Sequence, residues 1–103
     1  GEETPSNGSV EAPGQLARHY APGKPVRLDA RGAVEGEFLI GFGSVKGDVT
    51  LSESGDVDEA GRNLYACLHL AREAPQPRIA VAPIPEDGLG KAINDRLRRA
   101  AAP

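Results

Sequence analysis

The chain contains no tryptophan, no methionine and one cysteine, Cys67. A single thiol cannot form an internal disulfide, so no covalent staple holds the fold. A lone free thiol also fits a reducing compartment better than secretion, and the expected location is the cytoplasm. The ring-bearing apolar residues are only Phe38, Phe42, Tyr20 and Tyr65, so any core must be built from Val, Ile, Leu and Ala. No apolar run approaches the ~20 residues of a membrane span, and the acidic, proline-rich start does not read as a signal peptide. Two histidines and one cysteine supply no zinc-ligand spacing. The formal net charge of −3 argues against binding nucleic acid broadly through phosphates. At 103 residues there is room for one small domain with a thin core and marginal stability.

What is present divides in two. Residues 1–25 read as a flexible linker. Gly1 to Gly14 are mostly Gly, Ser, Thr, Asn, Glu and Pro, too polar to offset their ordering entropy by burial. They look like the end of a tether from something upstream. Between Ala12 and Pro25 the prolines fix φ and push their predecessors towards extended geometry, so this stretch should be stiff and exposed. His19 and Tyr20 lie within it, in a setting too polar to be core. A loop held so stiffly presents side chains to a partner.

Residues 26–103 carry the folding signals. Val26–Leu28, Glu37–Phe42, Val49–Leu51 and Arg78–Pro83 are strand candidates. The continuous apolar run after Glu37 fits a strand covered on both faces. Val57, Ala60, Leu64, Cys67, Leu68 and Ala71 recur at helical spacing, with Asp56 or Asp58 as cap and Pro75 as stop. Leu89, Ala92, Ile93, Leu97 and Ala100 form a second such stripe. Gly61 inside the first helix costs roughly 1 kcal/mol against alanine, so close packing is expected there. The expected class is α/β: a small three-layer, Rossmann-like domain with a short, mostly parallel sheet of about four strands and two main helices. Only about seven residues separate the first two strand candidates, whereas a parallel crossover takes about a dozen. Those strands are therefore not parallel neighbours, or one is misread.

Each chemically suggestive residue has a plainer reading beside it. Cys67 lies on an apolar stripe without a local base and reads as a small hydrophobe. His69 sits one position off that stripe, at a solvated edge. Gly41-Phe42-Gly43-Ser44-Val45-Lys46-Gly47 has Lys46 where a dinucleotide fingerprint needs glycine, and no helix follows at once, so it reads as a turn. Gly88, Gly90 and Lys91 open the second helix and form a possible anion- or nucleotide-binding site, through free N–H groups and one positive charge. Against this, the glycines also permit tight packing. Arg96, Arg98 and Arg99 fall in the last turns of that helix, where its dipole favours cations. No nucleophile–base or carboxylate pair emerges, so no catalytic residue is assigned.

Pro13-Gly14, a spacer and His19-Tyr20-Ala21-Pro22 resemble the interdomain signature of two-domain threonylcarbamoyl-adenylate synthases. There a Ser-Pro-Gly, a spacer and His-Tyr-Ala-Pro join a YrdC-type catalytic domain to a C-terminal domain. Gly88 to Leu97, followed by Ala100-Ala101, is similar to that family's last helix, and Ile79-Ala80-Val81 with Pro83 and Pro85 matches in position. The resemblance covers residues 12–103. It implies that residues 1–25 are an interdomain linker and 26–103 an accessory domain. Its partner would be its own catalytic domain, which uses threonine, bicarbonate and ATP, with Mg, and releases pyrophosphate. The product serves transfer-RNA modification. By the same resemblance Pro13, Gly14, His19, Tyr20 and Pro22 belong to a lid over that catalytic site, and the fragment itself needs no cofactor and catalyses nothing. Ala12 replaces the family serine, and the connection after the first strand is shorter than the family's. The competing readings are a free-standing nucleotide- or anion-binding module and a self-contained enzyme.

Overall fold

A computed structural model describes residues 23–101. The elements run β1 (Val26–Arg27), β2 (Glu37–Gly41), β3 (Val49–Thr50), α1 (Val57–Glu73), β4 (Arg78–Val81) and α2 (Leu89–Ala101). The four strands form one sheet in the order β1-β4-β2-β3, and every pairing is parallel. The chain is thus α/β, with a short parallel sheet and two helices, as its patterning predicts.

Strand β4 resolves the short first connection. It pairs with β1 through Val26↔Ile79 and with β2 through Phe38↔Ile79, so β1 and β2 flank it and never touch as neighbours. The connection 28–36 has only to span two strand spacings, roughly 10 Å.

The unusual connection is the next one. β2 and β3 are parallel neighbours, yet only residues 42–48 join them. Phe42 and Val45 close a tight turn by exchanging backbone hydrogen bonds of 2.8 and 3.1 Å. The chain then doubles back beside β2: the Asp48 N–H donates to the Leu39 carbonyl at 2.8 Å, and the Asp48 carboxylate accepts from the Leu39 N–H at 2.8 Å. A Cβ on Gly41 would collide with the Val45 carbonyl, and one on Gly47 with the Leu39 carbonyl. These two glycines make the helix-free return possible.

Side chains alternate across the sheet. Phe38, Ile40, Ile79 and Val81 face both helices and share one core with Leu64, Cys67, Leu68, Ile93 and Leu97. The opposite face carries Leu39 and Ala80, covered by Ala30 and Val45 from the connecting segments. The layers are helices, sheet and loop. Asp56 caps α1, its carboxylate accepting from the N–H groups of Asp58 and Glu59. Leu89 of α2 fills the space beside Gly61, where a Cβ would lie 2.8 Å from Leu89 Cδ2.

Candidate functional site

Lys24, the second described residue, is fastened to the end of α1. Helix α1 ends at Ala74-Pro75 without the glycine that usually folds back to satisfy the last carbonyls. Lys24 supplies the missing donor: its Nζ donates to the carbonyls of Ala71 at 3.0 Å, Ala74 at 2.7 Å and Gln76 at 2.7 Å. A cation on the negative end of a helix dipole is favourable, and here it is held by three bonds. Lys24 lies two residues beyond Pro22, so the first described residues are fastened at once to α1. Pro13, Gly14, His19, Tyr20 and Pro22 themselves lie outside the described residues.

A second clamp follows. Arg27 of β1 grips Glu37 of β2 with hydrogen bonds of 2.9 and 2.8 Å, across the end of β4, and its Nη2 also holds the Gly32 carbonyl at 2.9 Å. The Val34 N–H donates to the same carboxylate at 2.9 Å. The Arg27 hydrogen bonds bring the Glu37 carboxyl down to about 2 against the opposing effect of burial. The Val34 N–H and the positive charges of Arg27 and Arg78 act in the same direction.

The sequence-predicted anion site is laid out as follows. Gly88 has φ +52°, and α2 begins at the next residue. The Gly90 N–H donates to the Asp87 carbonyl at 2.8 Å and the Lys91 N–H to the Gly88 carbonyl at 3.1 Å, so both donors are engaged within the turn. Gly90 is buried against the Pro85 carbonyl, where a side chain would clash, and Lys91 is exposed. Cys67 is buried and burial raises its thiol pKa, which suppresses the nucleophilic thiolate. His69 is exposed, its Nδ1 3.0 Å from Arg72 Nη2. Among the described residues no group of His, Cys, Asp or Glu could hold a metal ion, and no helix is long and apolar enough to cross a membrane.

Two concavities lie among the described residues away from these groups. One, of about 380 Å³, runs between α1 and α2 beside Gly61, Leu64, Leu89 and Ile93, with Arg62 and Arg96 at its rim. Arg96 stands 5.7 Å from the centre of the Tyr65 ring, its Nη1 3.4 Å from the tyrosine oxygen. The other, of about 330 Å³, opens at the carboxyl ends of the central strands β2 and β4. The sequence alone singles out neither Lys24 nor this second crevice. A helix end without its glycine, next to a lysine between Gly23 and Pro25, was a legible hint for the first. Nothing local announces the second, because it depends on strand order.

Comparison with known proteins follows from this geometry. A family model described as "Threonylcarbamoyl-AMP synthase, C-terminal domain" matches residues 1–102. A threonylcarbamoyl-AMP synthase of Pyrococcus abyssi is 32% identical over 111 aligned residues, which take in 90% of this chain and 32% of that protein. The chain therefore spans about a third of the relative's length. No solved structure matches.

Proposed function

Because the chain belongs to the family of threonylcarbamoyl-AMP synthase C-terminal domains, we propose that it serves as the accessory and regulatory domain of such an enzyme. In this reading the parent is a cytoplasmic nucleotidyltransferase that converts threonine, bicarbonate and ATP into threonylcarbamoyl-AMP and pyrophosphate for transfer-RNA modification. ATP and Mg are held by the catalytic domain, and the described residues here offer no metal cluster. Residues 1–25 form the interdomain linker, and Pro13, Gly14, His19, Tyr20 and Pro22 close over the catalytic mouth. Tyr20 is the cover residue: a tyrosine ring gains about 1.5–3 kcal/mol on leaving water, and lids of this kind exclude water from a hydrolysable intermediate.

The observation that supports this role is the Lys24 clamp. A lid is useful only if its base is fixed, and here the base is tied to the end of the longest helix. The test is Tyr20→Ala in the full-length enzyme, measured as pyrophosphate release. The expected result is a loss of about tenfold or more in kcat, with the denaturation midpoint of the isolated 103-residue chain unchanged. Full activity would remove the lid role. A lowered midpoint would assign Tyr20 to the core of this domain. The isolated chain, given threonine, bicarbonate and ATP, should release no pyrophosphate above a buffer blank.

A further inference from the structure

The crevice at the carboxyl ends of β2 and β4 has the placement of a ligand site. In open α/β sheets ligands settle outside the strand carboxyl ends, where connections from adjacent strands leave in opposite directions. β2 and β4 are adjacent, and their onward chains part in this way. The turn after β2 leads to β3, on the side of β2 away from β4, while β4 leads to α2, which packs towards β1. Val45 of that turn packs against both the Leu39–Ala80 cluster and the helical core. The walls are Phe42, Val45, Pro83 and Ile84, and the polar groups are Arg31 and the Ser44 hydroxyl.

Each wall is fixed from behind. The Phe42–Val45 turn is closed by its two backbone bonds, and the Gly43 N–H donates to the Ser52 carbonyl at 2.7 Å. The buried Asn94 amide donates to the Ile84 carbonyl at 2.8 Å. Arg31 sits between two anchors: the Ala30 N–H donates to the Val81 carbonyl at 2.8 Å, and Arg27 holds the Gly32 carbonyl. Among the described residues the Arg31 guanidinium has no ion pair or hydrogen bond of its own, unlike Arg27, Arg72 and Arg98. An exposed guanidinium without an ion pair, carried on an anchored stretch of backbone at the mouth of an apolar crevice, suits a planar or tetrahedral anion.

We infer that this crevice binds a small organic anion, its phosphate or carboxylate on Arg31 and Ser44 and its apolar part against Val45, Pro83 and Ile84. The inference is independent of the lid, which concerns other residues. It also differs in place from the start of α2, where the Gly90 and Lys91 donors are already engaged.

The test is an amide-shift titration of the chain with AMP, with isobutyrate and with adenosine. Saturable shifts at Gly43, Ser44 and Val45 are expected with AMP if phosphate is the preferred group, or with isobutyrate if carboxylate is. Adenosine, which carries no charge, should not reproduce them. Arg31→Gln should weaken binding about tenfold, the loss expected for one charged hydrogen-bonding partner, while circular dichroism shows the fold unchanged. Lys91→Gln should leave the Kd as it was. The proposal is overturned if neither anion saturates these amides by about 10 mM, if Arg31→Gln binds as tightly as wild type, or if the shifts cluster at Lys91.

Discussion

A Cβ on Gly90 would run into the backbone carbonyl of Pro85, whereas one on Gly61 would press on the end of the Leu89 side chain, itself 43% exposed, and touch Ile93 Cδ1 at an ordinary contact distance. Backbone cannot step aside and an exposed leucine tip can. Gly90→Ala should therefore cost about 1–3 kcal/mol, while Gly61→Ala should be neutral or stabilise by up to about 1 kcal/mol through helix propensity. Urea midpoints of the two variants check both signs. Glu37 contributes to the acid limb of stability. Its folded pKa of about 2 lies below the ordinary 4.5, so its stabilising contribution is complete above pH 4.5 and is lost as pH falls towards 2. Midpoints measured across that window should fall for wild type and change less for Glu37→Gln, which lacks the titrating proton.

Among the elements, α1 and α2 carry the packing. Leu64 and Ile93 are each 2% exposed and belong to one cluster with the helical face of the sheet. Leu64→Ala and Ile93→Ala should each cost about 2–4 kcal/mol, enough to unfold much of a small domain, and an unchanged urea midpoint would contradict this. Both helices were legible in the sequence because a 3.6-residue stripe is a long, redundant signal. Asp56, Pro75 and the close packing at Gly61 were legible for local reasons as well. The sheet was less so. β1 and β3 are two residues each, too short for a period, and nothing in their residues says that β4 separates β1 from β2. The Gly41–Gly47 turn could be separated from a nucleotide loop, but its use as a helix-free parallel return could not be foreseen. The same gap hid the Arg31 crevice, which exists only once β2 and β4 lie side by side.

For the whole molecule, Lys24 ties the first described residues to the end of α1. Lys24→Met keeps much of the stem's length and apolar character but removes the Nζ donor shared by three carbonyls, of which Ala71's retains the Ala74 N–H at 3.4 Å. The isolated domain should lose about 1–3 kcal/mol. The proposed lid role adds a second expectation: in the full-length enzyme, kcat should fall even at temperatures where the domain stays folded, because the base of the proposed lid would no longer be fixed. Activity that tracks only the folded fraction would deny Lys24 a positioning role. The place of β4 has a further consequence, for the order in which the chain folds. β2 and β3 are close in sequence and can pair early, whereas β1 has no neighbour until Ile79 and Ala80 arrive from some fifty residues downstream, once α1 has crossed over. The sheet is complete only when β4 pairs with both β1 and β2. Ile79→Val should accordingly speed unfolding and leave the refolding rate almost unchanged, and any chain interrupted before residue 78 would display two open strand edges with nothing to fill the gap.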